Sequence, residues 1–218
     1  MSFLSEFQSH LSADLRNQFL QLKTPFAIQQ YLDHMPYIGE ERNRAPLQVM
    51  KDRQCHCLDG GFFAALALWR IGFKPLLIDL VPEPNKDDDH VLALYQADGL
   101  WGAVAKTNYV NLGFREPVYK SLRELVMTYF EHYVSINKEK TLRGYTRPLD
   151  VSHYTHLNWA WDEVRANQLY HKNFYGRKMI ALITARMAKH LNPLTDRAYV
   201  AETMYTNLNE SFGNRDSS

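Results

Sequence analysis

The order of apolar and polar positions divides the chain into helical and extended stretches. From residue 3 to 22, Phe3, Leu4, Phe7, Leu11, Leu15, Phe19 and Leu22 recur at helical spacing, which predicts one surface helix with Glu6, Asp14 and Arg16 outward. Thr24 then supplies an N-cap and Pro25 a first helical residue, so a second helix runs to about His34 before Pro36 stops it. Residues 38–45 read as loop and 46–51 as a short further element. The stretch 57–71 is apolar on nearly every side and is closed by Gly72, the signature of a central, buried helix.

Three short apolar runs follow, at 75–81, 90–95 and 100–105. Asp98-Gly99 between the last two is a hairpin signal, so an antiparallel sheet follows the central helix. Helical spacing returns over 119–134, with Leu122, Leu125, Val126, Tyr129, Phe130 and Tyr133 on one face. Residues 137–150 are polar and turn-prone. Two later helices are expected at 159–170 and 177–191, the second stopped by Asn192-Pro193, and the polar tail 207–218 is expected to fray. The reading is α+β: a helical segment over 1–50, a core over 51–135 and a helical extension over 136–218, all in one compact domain.

Composition narrows the function classes. A chain of 218 residues with 45% apolar content buries one sizeable core, and 25 Lys plus Arg against 24 Asp plus Glu leave a formal charge of +1. No whole-protein field therefore draws nucleic acid or an anionic membrane, and any ligand is held by a local site. The longest apolar run, 62–69, is far short of the roughly 20 residues that span a bilayer. The first residues lack a basic segment followed by an apolar block, so a cytoplasmic location is expected. Nothing in the pattern fixes an oligomeric state.

The two cysteines, Cys55 and Cys57, are one residue apart, where a disulfide is strained, so free thiols are expected. Their spacing is also too tight for a usual zinc pair, and neither metal nor cofactor is expected. Cys57 opens the buried helix. Unpaired N–H groups and the positive end of the helix dipole favour a thiolate there, and His90, opening a strand, is the candidate base. His56 is a poorer candidate, because adjacent side chains on one element diverge.

In these residues the chain resembles the transglutaminase-like branch of the papain-like cysteine enzymes. Cys57, Asp59 and Gly72 fall in step with that family's helix, and His90 and Trp101 with its hairpin; the matched stretch is about 54–107. The resemblance implies a papain-like core and a hydrolase or acyltransferase acting on a peptide or carboxamide, with a peptide or protein substrate and no cofactor. Cys57 is then the nucleophile and His90 the proton shuttle. Gln54 is a side-chain candidate for the oxyanion site, and Trp101, Gly60 and Gly61 for substrate contact. One departure stands out: Ala105 occupies the position of the family's third catalytic residue, leaving Asn108 or one of Asp87, Asp88 and Asp89 to orient the imidazole. The competing expectation is an inactive fold of this type used for binding or scaffolding. Helix–sheet contact also accounts for Gly60 and Gly61, and electrostatic capping of the helix start for Asp59.

Overall fold

Ser12 breaks the first apolar stripe in two. Its hydroxyl accepts the Leu15 N–H at 3.3 Å and starts a new helix, so the expected single helix is α1 (Phe3–Ser9) followed by α2 (Ala13–Gln21). The structure is a computed structural model and describes residues 1–214. Thr24 caps α3 (Pro25–Asp33) as expected, and α4 (Pro46–Asp52) ends at Arg53 in the left-handed conformation. The buried helix is α5 (Cys57–Arg70).

Strands β1 (Leu76–Pro82), β2 (His90–Ala97) and β3 (Leu100–Val104) form a meander. Asp98 and Gly99, with φ of 51° and 77°, make the two-residue turn that joins β2 to β3. The helix expected over 119–134 is much shorter. Tyr119 closes β4 (Arg115–Tyr119), Ser121 caps α6 (Leu122–Met127), and turns follow. Arg115 ends α6 by donating from Nε to the Thr128 hydroxyl (2.8 Å) and from Nη2 to its carbonyl (3.2 Å). The apolar spacing that mimicked a longer helix is that of turns packed on the sheet, where Tyr129 and Tyr133 are buried.

The stretch expected to be turns contains β5 (Leu142–Thr146) and β6 (Leu149–Asp150), both paired with β1. Helix α7 (Glu163–Leu169) runs into a π-turn over Tyr170–Phe174. In place of the helix expected at 177–191 lie the edge strand β7 (Met179–Ala181) and the single turn α8 (Ala185–Ala188), and α9 (Asp196–Glu202) follows. Residues 207–211 do not fray: Asn108 Nδ2 donates to the Asn207 carbonyl at 2.8 Å, and the Gly39 N–H donates to Glu210 at 2.6 Å. The last part of the expected tail, 215–218, lies outside the described residues.

All strand pairs are antiparallel, in the order β4-β3-β2-β1-β5-β7, with β6 also on β1. The class is α+β, an antiparallel sheet with flanking helices. Alternation sends Leu77, Val91, Ala93 and Val104 toward α5, and Ile78, Leu80, Leu92, Leu94 and Ala103 to the opposite face, under α6 and its turns. Helix α5 lies close enough to the sheet to need its glycines. A Cβ on Gly60 would stand 2.3 Å from Lys106 Cβ, and one on Gly61 2.5 Å from Val91 Cγ1. Among the described residues no helix is long and apolar enough to cross a membrane.

Candidate functional site

The approach to α5 fixes where its first residue points. Cys55 bridges to Tyr37, His56 stays extended as the N-cap, and Cys57 begins the helix, half-buried. Its thiol points at the start of β2, with Sγ 3.7 Å from the Asp89 carbonyl oxygen. Cys55, by contrast, is buried, and burial pushes its thiol up to about 12.

Two carboxyl groups stand beside Cys57. Asp79, on β1 opposite Val91, projects from the helix-facing side of the sheet, and Asp89 immediately precedes β2. Their side chains are hydrogen-bonded to each other. Burial raises both, and the charge of Asp89 raises Asp79 further, so Asp79 keeps a proton that it donates to Asp89. Asp79 is 6% exposed; its Oδ1 and Asp89 Oδ2 are buried and accept no hydrogen bond from a residue outside the pair. Burial, then the charge of Asp89, hold the Cys57 thiol well above its ordinary range. The dipole of α5 opposes this shift and does not overcome it, so the thiol is protonated at neutral pH.

His90 is not brought to Cys57. Adjacent residues of a strand point to opposite faces, so while Asp89 and Val91 serve the helix side, the His90 ring enters the other layer. There Nε2 donates to the Leu112 carbonyl at 2.9 Å, and the ring lies 6.5 Å from that of Tyr133. Burial lowers its titration to about 4, leaving a neutral imidazole. Among the described residues no hydrogen bond joins Cys57 and His90.

The other expected site residues are dispersed as well. Asn108 exchanges hydrogen bonds with Asn207, at 2.8 and 3.1 Å, rather than orienting an imidazole. Ala105 is buried on the His90 face, its backbone bonded to the Gln29 side chain. Gln54 is half-buried and does not line the cleft at Cys57. Trp101 pairs with Tyr119 in the second hydrophobic layer, away from α5. Gly60 packs on the Lys106 stem just past β3 and Gly61 on Val91 of β2, and neither lines the cleft at Cys57. Asp59 does more than cap. Fully buried, it accepts the Arg44 N–H at 2.7 Å and ties the 40–44 loop to α5; burial raises it to about 8 despite the Arg44 guanidinium.

Cys57 opens into a cleft of about 180 Å³. Tyr37, Glu40, Glu41, Asn43, His56, Asp88, Asp89 and Tyr175 line it with Cys57. Tyr175 is delivered by the π-turn after α7, whose closing bond runs from its N–H to the Tyr170 carbonyl at 2.9 Å. Asp79, Tyr37, Glu40, Glu41 and Tyr175 were not legible as site residues. For Asp79 a signal existed: one carboxylate in the apolar run Leu-Leu-Ile-Asp-Leu-Val. Among the described residues no three His, Cys, Asp or Glu side chains converge as a metal centre requires. No protein-family model matches the chain, and a search of curated proteins finds no similar sequence.

Proposed function

We propose that the cleft at Cys57 is a binding site and that the chain uses its helix-on-sheet scaffold for recognition. The observation that carries this reading is the identity of the groups facing the sulfur: a buried carboxyl pair stands where thiol catalysis needs an imidazole. Acyl transfer develops negative charge on sulfur and then on the substrate oxygen. Carboxylates around both atoms oppose that charge, whereas an oxyanion site needs donors. A cleft of about 180 Å³ is below the usual range for a drug-sized ligand and suits a small polar molecule or one peptide side chain.

A second reading, a transglutaminase-like cysteine hydrolase or acyltransferase on a peptide or carboxamide, is favoured by one observation. Cys57 is only partly buried by neighbours at the first position of a buried 14-residue helix and lines a cleft. In that reading a carboxylate of the Asp79–Asp89 pair accepts the thiol proton, the sulfur attacks the carbonyl carbon, the leaving amine takes the proton, and water releases the acid.

One experiment separates the two. The protein is incubated with a panel of Nα-acetyl amino-acid methylamides while product, adducts and backbone amide shifts are followed. Binding predicts shifts confined to residues 37–43, 56–57, 88–89 and 175, no product, and the same shifts in Cys57→Ala. A thioester on Cys57, or product lost in Cys57→Ala, establishes the enzyme instead.

A further inference from the structure

The two edges of the sheet are finished differently. At one end β4 carries Pro117, which offers no N–H to a neighbour, beside the exposed Glu116, so that edge resists pairing. At the other end β7 has neither proline nor charge in Met179-Ile180-Ala181, and all three residues are exposed, Met179 at 40% and Ile180 at 37%. Leu182 donates to the Arg143 carbonyl at 2.9 Å, so Ile180, two residues back, faces β5 as well. The N–H and C=O groups of Met179 and Ala181 therefore point away from the sheet, and among the described residues nothing pairs with them.

A groove of about 700 Å³ adjoins this edge, and Met179 and Ala181 line it with Val81, Pro82, Pro84 and Ile183. Its single lining carboxylate, Glu83, is paired with Arg143. The chain around β7 carries one sign of charge. From 164 to 195 it contains Arg165, Lys172, Arg177, Lys178, Arg186 and Lys189 and no Asp or Glu. Lys178 directly precedes β7, Arg186 lies on α8 and Lys189 lines the groove. All three are exposed, and among the described residues none of them has an acidic partner.

We infer that β7 and its groove form a docking edge for an extended segment of a partner protein, apolar at alternate positions and acidic at both flanks, which joins the sheet as a further strand. Its backbone meets the outward N–H and C=O groups of Met179 and Ala181, and its apolar side chains on the groove side lie beside those two residues. Its carboxylates face Lys178 at one end and Arg186 and Lys189 at the other. A second copy of the chain fits worse, because pairing two β7 edges brings the same cations together. Nucleic acid has no amide ladder to add, and no aromatic ring lines the groove for a base to stack on. The groove shares no lining residue with the cleft at Cys57, so the two are tested apart.

The test is a calorimetric titration of the full chain with the peptide acetyl-Glu-Asp-Val-Thr-Val-Thr-Val-Asp-Glu-amide. Its controls are a counterpart with Lys in place of every Asp and Glu, and two versions N-methylated on alternate residues, one on the Val and the other on the Thr. The acidic peptide is expected to bind at least tenfold tighter than the lysine counterpart and to weaken as salt is raised. One N-methylated version should lose at least tenfold and the other little, because a strand turns only alternate amides to its neighbour. Bound peptide should slow hydrogen exchange at the Met179 and Ala181 amides at least fivefold. Lys178→Glu and Lys189→Glu, both at exposed positions, are each expected to weaken it severalfold with no change in fold. No binding of the acidic peptide, equal binding of the lysine counterpart, or indifference to both N-methylations overturns the inference. So does self-association of the full chain that protects the same amides, or displacement of the peptide by oligouridylate.

Discussion

Gly60 and Lys106 determine each other's positions. The missing side chain at 60 lets the Lys106 stem lie across α5, and a methyl group there would collide with Cβ, which cannot swing away as a side-chain tip can. Gly60→Ala should therefore destabilise by about 1–3 kcal/mol, although alanine in a helix is otherwise favoured by about 1 kcal/mol; urea unfolding measures the balance. The buried acids predict a pH dependence. Asp79, Asp89 and Asp59 all titrate higher folded than unfolded, so their protons favour the folded state in acid, and that advantage fades as pH rises, for Asp59 through about 8. Asp79→Asn, which keeps this position neutral, should gain on the wild type progressively between pH 4 and 8, and urea melts across that range will show it. His90 acts with the opposite sign. Its folded value of about 4 lies below the ordinary 6.5, so stability falls as pH drops between these values, by up to about 3 kcal/mol, and His90→Gln should remove most of that fall. Residue type was legible in the sequence, but partner was not: His90 and Asp89 are neighbours in the chain, and strand alternation alone decides which one meets Cys57.

Elements with their own punctuation were readable. Thr24-Pro25 starts α3, Asp98-Gly99 turns the hairpin, and α5 is central and buried as its all-round apolar pattern implies. Elements defined by packing were not. β5 pairs with β1 in the middle of the sheet through a polar-looking Leu-Arg-Gly-Tyr-Thr, and on its other side Gly144 admits Met179 and Ile180 of β7 against its backbone. The 119–134 stripe misled because turns buried against a sheet repeat apolar residues much as a helix does. One element depends on a distant side chain: Lys106 Nζ, 3% exposed, donates to the carbonyls of Leu32 and Met35 and so caps the end of α3. Lys106→Met should cost about 1.5–3 kcal/mol and speed hydrogen exchange in the last turn of α3, with smaller effects in α5.

At the scale of the molecule, the C-terminal segment ties the loops around the sheet's β2 end. Glu202 accepts from His132 (2.8 Å) and Asn111 (3.1 Å), Asn207 pairs with Asn108, and Glu210 accepts from Gly39. Removing residues 195–218 should leave the sheet folded and raise hydrogen exchange selectively at 36–40 and 107–112. None of these pairings was legible, since each joins polar residues tens of positions apart. The same holds for the cleft, assembled from the 37–43 loop, the start of α5, the 87–89 segment and the π-turn after α7. Its chemistry rests on a protonated thiol facing carboxyl groups. The pH profile of Cys57 alkylation by iodoacetamide tests that most directly. The rate is expected to stay low through pH 8 and climb only above about pH 9, unchanged in His90→Ala and raised in Asp89→Asn. An inflection between pH 5 and 8 that disappears in His90→Ala would contradict it.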